Sequence, residues 1–241
     1  MRPPFSAVRG EALQQAIQEY IKEYIISHRL KRGDPLPSEG EIAGQLAASR
    51  NAVREAVKSL QALGIVETRH GQGTFVGDFS LNALVAGLTF RIRLAANQDL
   101  RTVRELLEIR QVLECGLVAR LPGLVTASHL AELHVLVNSM EDRAAQGEPF
   151  PEEDRAFHEV LYRPLDNSLV IQLLQAFWEI YHVVGPELPV AAEHPSVTAA
   201  EHRRILEALE ANDETAAVAA MAAHFAGLQG RIAELQHSKE I

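Results

Sequence analysis

GDPLPSEGEIAGQLAASRNAVREAVKSLQALGIVETRHGQGTFV, residues 33–76, is the stretch on which the reading of this chain turns. Gly33, Pro35 and Pro37 punctuate its start. Ser38 followed by Glu41 is a capping box, so a short helix is expected from Ser38 to about Leu46. Ser49 can cap a second helix, running to about Leu63 and stopped by Gly64. Two β-prone runs follow, IVETR and TFV, with HGQG between them as a hairpin turn. Upstream, Glu11 to Ile26 reads as a helix, with Leu13, Ile17, Tyr20, Ile21 and Tyr24 on one stripe.

Helix, short helix, turn, helix and hairpin within about 77 residues outline a winged helix-turn-helix. In the helix after Ser49, the residues Ala52, Val53, Ala56, Val57 and Leu60 form an inward stripe. Arg50, Asn51, Arg54 and Lys58 lie largely off it. A helix that reads DNA needs this division: an apolar back for docking, and long donors near its N-terminus for base edges and phosphates. Taken alone, it is also the pattern of an ordinary surface helix with a solvated basic face. The capped helix before it and the Gly-rich hairpin after it favour the DNA reading. His70 and Gly71 fall at the hairpin tip, a protrusion that suits a minor groove or is merely a tight turn.

Further out, the charge is uneven. Residues 1–77 carry 10 Lys and Arg against 8 Asp and Glu, whereas residues 78–241 carry 13 against 24. A mildly basic front on an acidic back suits a DNA-binding module joined to something else. The single cysteine, Cys115, excludes an internal disulfide and a cysteine-based zinc site. No apolar stretch approaches the ~20 residues of a membrane span, and a cytoplasmic protein is expected. Beyond Gly77 helical periodicity takes over, with segments near 82–95, 101–120, 126–146, 150–162, 167–182, 197–211 and 213–236. Breaks fall at Pro122-Gly123, Gly147-Pro149, Asp166-Asn167, Gly185-Pro189 and Asn212-Asp213. The expected architecture is mainly α: a winged helix-turn-helix over 1–77, a linker and connecting helix over 78–98, and an all-α antiparallel bundle over 99–241.

The bundle carries a chemical pattern. EEDRAFHEVLY places Asp154 and His158 four apart, able to chelate one cation from one helix face. His202 shares a face with Ile205, Leu206 and Leu209, and His224 with Ala217, Ala220, Met221 and Leu228. Both therefore point inward, where an uncompensated imidazole is unfavourable. Three imidazoles and a carboxylate suit zinc, nickel, manganese or iron. Separately hydrogen-bonded core histidines are the alternative.

Residues 33–76 resemble the DNA-binding domain of GntR regulators throughout, in LPSE, in the SR…VREA…L…LG segment and in the G.GTFV wing. The resemblance implies that Arg50 and Arg54 read an operator, supported by Ser49 and Asn51, with His70 and Gly71 acting at the wing. Many members carry a basic residue after the PSE motif; here that position is Gly40. Residues 99–236 resemble the FadR C-terminal (FCD) domain, in ELLEIRQVLECGLVA, DRAFHEVLY…DNSLV and HRRILEALEANDETAAVAAMAAHF. That resemblance implies one divalent ion per chain, zinc first, held by Asp154, His158, His202 and His224. It also implies a pocket for a small carboxylate effector: a sugar acid, hydroxy acid or dicarboxylate. Arg110 is then an effector contact, or else half of a surface salt bridge with Glu108 or Glu114. Asn167 is a second effector candidate, or simply a helix cap.

The function implied is an effector-controlled regulator, in the sense of a repressor, acting as a homodimer on a pseudo-palindromic site, because one helix reads too few base pairs for genomic selection. Two alternatives stand beside it. The metal itself is the signal, or the Asp and His residues serve a metallo-hydrolase. The second leaves the front half unexplained, and no HExxH or acyl-transfer nucleophile motif is present.

Overall fold

The computed structural model describes residues 5–95, 100–184 and 194–239. The expected break at Gly185-Pro189 and residues 96–98 of the expected connecting segment lie outside them. The chain divides into two compact units, residues 1–84 and 85–241.

In the first unit α1 spans Phe5–Ser27, α2 Glu39–Gln45 and α3 Arg50–Ala62. Strands β1 (Val66–Arg69) and β2 (Gly73–Val76) pair antiparallel, from Val66 opposite Val76 to Arg69 opposite Gly73. Pro35 adds a bridge to Phe75. The capping box forms: Glu41 N–H donates to Ser38 Oγ at 3.3 Å, and Ser38 N–H to Glu41 Oε2 at 2.8 Å. Ser49 caps α3, its Oγ accepting from Ala52 N–H at 3.1 Å. Ile17, Ile21 and Ile25 of α1 pack with Val53, Ala56, Val57 and Leu60 of α3 and with Val66 and Val76 of the hairpin. Leu13, counted on the stripe from its spacing, is instead 41% exposed, and Ile25 extends the buried stripe at the other end. At that turn it is Gln14 that meets α3, its Nε2 donating to Ser59 Oγ at 2.9 Å.

The chain leaves the hairpin under tight constraint. Gly77 N–H donates to Ile65 O and Phe79 N–H to Gly64 O, each at 2.9 Å. A Cβ on Gly77 would lie 2.2 Å from Gly64 O, so only glycine fits. Phe79 itself adopts φ 56°, a left-handed conformation that is strained for a bulky side chain.

The second unit is helical throughout its described residues: α4 (Asn82–Ala95), α5 (Arg101–Val118), α6 (Ala127–Ala145), α7 (Pro151–Tyr162), α8 (Ser168–Val184), α9 (Pro195–Glu210) and α10 (Glu214–Lys239). A short 3-10 turn, Arg163–Leu165, follows α7. α9 packs between α6 and α10, α10 against α5, and α7 against α6 and α8. Val118, Leu121, Leu133, Met140, Phe157 and Ile205 lie in its main core, all 1% exposed or less. Pro151 opens α7 with its fixed φ, and Glu152, Glu153 and Asp154 complement the positive end of the helix dipole. Among the described residues no helix is long and apolar enough to cross a membrane.

Candidate functional site

Asp154 and His158 are one turn apart on α7, His202 is on α9 and His224 on α10. One ligand atom from each of the four lies within 4.8 Å of all the others. His202 Nε2 is 2.8 Å from Asp154 Oδ1, and His158 Nε2 is 3.6 Å from the same oxygen. The opposite nitrogens face outward partners. His202 Nδ1 meets Thr198 O at 2.8 Å, and His224 Nδ1 meets Glu201 Oε2 at 3.2 Å. His158 Nδ1 is 2.6 Å from Glu114 Oε2. That last contact is an ion-pair distance at a poor hydrogen-bonding angle, and neither nitrogen of the buried His158 ring has a regular hydrogen-bond partner. A buried ring without a regular partner, beside two more imidazoles and a carboxylate, fits a divalent cation better than separately bonded core histidines do. Each outward partner would fix its ring with Nε2 facing the cation.

The electrostatics differ among the four residues, and His158 must give up a proton to ligate a cation. Burial alone would raise the Asp154 carboxyl, but hydrogen bonds and charge from His158 and His202 outweigh it and hold it well below the carboxylate range. Burial, with His202 and His158 nearby, holds the His224 ring well below its ordinary value and therefore neutral, the form that binds a cation. Burial would depress His158, but Glu114 and Asp154 prevail and push it up to about 9.

Beside the cluster is a small cleft, with a cavity of about 10 Å³, lined by Arg110, Arg155, His158, Glu159, Leu174, Gln175 and Trp178. Arg155 Nε donates to Glu159 Oε1 at 2.9 Å, and Gln175 Nε2 donates to the same oxygen at 3.1 Å. The Arg155 guanidinium lies over the Trp178 ring, 5.2 Å from its centroid. Arg110 lines the pocket, and its salt bridge is not at the surface. Arg110 Nε donates to Glu114 Oε1 at 2.6 Å in the interior, with the Glu114 side chain 0% exposed. The reason is position: both lie on the α5 stripe of Val103, Leu107 and Leu117. Asn167 is a cap. Its Oδ1 accepts from Leu169 N–H at 3.2 Å and Val170 N–H at 3.3 Å, and it is not among the residues lining the pocket.

Glu114, Glu201, Tyr162 and the Arg155–Glu159–Gln175 group went unassigned from the sequence. A usable signal existed for Glu114, a charged residue at helical spacing on an apolar stripe.

In the first unit Arg50, Asn51, Arg54 and Lys58 are exposed along α3. Arg54 Nε is 3.4 Å from Glu39 Oε2. The Arg50 guanidinium lies beside Gly40, with Nη2 3.4 Å from where a Cβ would stand. The missing side chain at position 40 therefore leaves room that Arg50 occupies. His70 and Gly71 are exposed at the hairpin tip, where Gly71 takes φ 71° and Gln72 N–H donates to Arg69 O at 3.0 Å.

A winged helix-turn-helix with exposed donors on its third helix, followed by a helical domain with an inward Asp–His cluster, defines a class of DNA-binding regulators. Residues 13–76 match the bacterial regulatory proteins of the gntR family, and residues 105–227 match the FCD domain. The HTH-type transcriptional regulator LutR of Bacillus subtilis is 31% identical over 211 residues, 83% of this chain and 92% of that protein. The galactonate operon transcriptional repressor of Escherichia coli is 26% identical over 212 residues, 88% of this chain and 93% of that one. Among solved structures, a Streptococcus agalactiae GntR protein superposes with a TM-score of 0.64 at 25% identity, covering 90% of this chain and 98% of that one. The chain belongs to the GntR family of transcriptional regulators, with an FCD domain.

Proposed function

We propose that this regulator is a homodimeric repressor whose operator affinity is set by a small carboxylate effector bound beside a divalent cation, zinc first among candidates. One observation carries the reading: His158 belongs both to the four-ligand cluster and to the pocket wall. A cation held by Asp154, His158, His202 and His224 would thus face the pocket, where it supplies positive charge to an entering carboxylate. Arg110 and Arg155 would orient that carboxylate from the wall. The cation also alters the local charge. Asp154, Glu114 and Glu201 put three carboxylates around the cluster, and a cation among them would offset that charge toward an entering anion.

On the DNA side, Arg50 and Arg54 would contact the operator from α3, with Ser49 and Asn51 near the helix N-terminus and His70 and Gly71 at the wing. The experiment is calorimetric titration of sugar acids, hydroxy acids and dicarboxylates into zinc-loaded and chelator-stripped protein. Binding of one such acid only to the zinc-loaded form, with weakened operator binding, is the expected result. Full affinity for that acid in verified metal-free protein would sink the reading, as would stabilisation by neutral or cationic compounds only.

A further inference from the structure

Glu114 is an unusual carboxylate. Its side chain is fully buried on α5, and both of its oxygens are engaged. Oε1 accepts from Arg110 Nε at 2.6 Å. Oε2 is 2.6 Å from His158 Nδ1 and accepts from Tyr162 O–H at 3.2 Å. Burying an Arg–Glu pair stabilises a fold poorly compared with apolar side chains of similar volume. Packing is therefore not what this carboxylate contributes. It stands behind one member of the ligand cluster, His158, at ion-pair distance, and is hydrogen-bonded to Arg110 of the pocket wall.

We propose that Glu114 is a positioning residue for the metal centre, holding the His158 ring by Nδ1 so that Nε2 faces the cation, while pinning Arg110 at the pocket wall. A carboxylate behind a ligating imidazole fixes the proton on the far nitrogen, sets the ring plane and makes the near nitrogen a stronger donor. His202 and His224 have counterparts in Thr198 O and Glu201. Glu114 is also bonded to Arg110, which lines the pocket.

The inference rests on Asp154, His158, His202 and His224 being the ligands, and the test separates the two. Zinc affinity is measured by chelator competition on the full-length protein, for wild type, Glu114→Gln and Tyr162→Phe. The Gln variant keeps the shape and a hydrogen bond but not the charge; its affinity should fall about 10–100-fold. Tyr162→Phe disturbs the same buried cluster without touching His158, and should stay within about threefold of wild type, well short of that loss. Equal falls in both variants would make Glu114 a packing element and overturn its role, and so would an unchanged Glu114→Gln. Wild-type protein that takes up no zinc would instead overturn the ligand assignment. Should the Gln variant not fold, the wild type decides. A long-range proton–nitrogen spectrum of the zinc-loaded protein should show His158 bound through Nε2 with its proton on Nδ1. A His158 bound through Nδ1 overturns the proposal.

Discussion

His202 Nε2 meets Asp154 Oδ1 at 2.8 Å, joining α9 to α7 across 48 positions of sequence. With His224 on α10, the cluster brings three helices to one point. A cation bound there should stabilise the folded state by RT ln(1 + [M]/Kd), about 2.7 kcal/mol at a hundredfold excess over Kd. Thermal melts of the second unit should shift up with zinc and down with chelator. His202→Ala should bind less metal and lose the shift while retaining operator binding. A zinc-dependent shift that survives His202→Ala would place the metal elsewhere.

Phe157 is 0% exposed, and its ring sits edge-on to His202 at 4.8 Å and to His158 at 5.6 Å between centroids. Phe157→Ala should destabilise by about 3–5 kcal/mol. It should also weaken zinc binding by freeing two ligand rings, whereas Phe157→Leu should do less of both. Denaturant melts with and without zinc measure the two effects separately. A destabilised Ala variant with wild-type zinc affinity would show that the rings do not depend on this packing.

On the DNA side, Arg50→Ala and Arg54→Ala should each weaken operator binding. A lost base contact costs about 1–3 kcal/mol and changes with the base, while a lost phosphate contact is sequence-independent and lowers the salt slope. Fluorescence anisotropy on an operator series at several salt concentrations distinguishes them. If neither variant binds more weakly, the reading face lies elsewhere.

Two half-sites need two recognition helices, so the protein should sediment as a dimer, at the latest when bound to its operator. Sedimentation velocity of free protein and of the complex checks this. A single protomer on a full operator is the contrary result.

Much of this was legible in sequence because it is local. Ser38 with Glu41, Ser49 and the HGQG turn each specify their own geometry within a few residues, and the structure forms all three. His202 and His224 were expected to point inward from their apolar neighbours at helical spacing, Asp154 and His158 to share a face from their four-residue spacing, and the four were joined as one set only by the FCD resemblance. Glu114 entered the sequence reading only as one possible surface partner of Arg110, and its buried role went unassigned. Arg and Glu four apart do usually pair in solvent, and the stripe from Val103 to Leu117 had to be weighed against that habit. Gln175 and Trp178 carried no signal. They meet Arg155 and Glu159 because α8 packs on α7, a contact that no local pattern encodes. Leu13 stays exposed although its neighbour Gln14 bonds Ser59 of α3: periodicity names a stripe, not which residue of a turn makes the contact.

Gly77→Ala should destabilise the first unit, since its Cβ would meet the Gly64 carbonyl at 2.2 Å. The winged domain, expressed with its full chain, should melt at lower temperature by circular dichroism, with the zinc-dependent transition of the second unit unchanged. An unaltered melt would mean that the hairpin exit relaxes freely.

That exit has a mechanical meaning. The chain leaves β2 bound by Gly77 and Phe79 to the turn that closes α3, not to the wing tip. A strand tethered this way acts as a rein. A pull applied at Ser80 is felt first at the C-terminal end of the helix that carries Arg50 and Arg54, and only afterwards at His70 and Gly71. The left-handed Phe79 is the weak link in the rein, a residue that gains torsional relief when it slips. The exit of the chain is thus fastened to the end of the reading helix rather than to the wing tip.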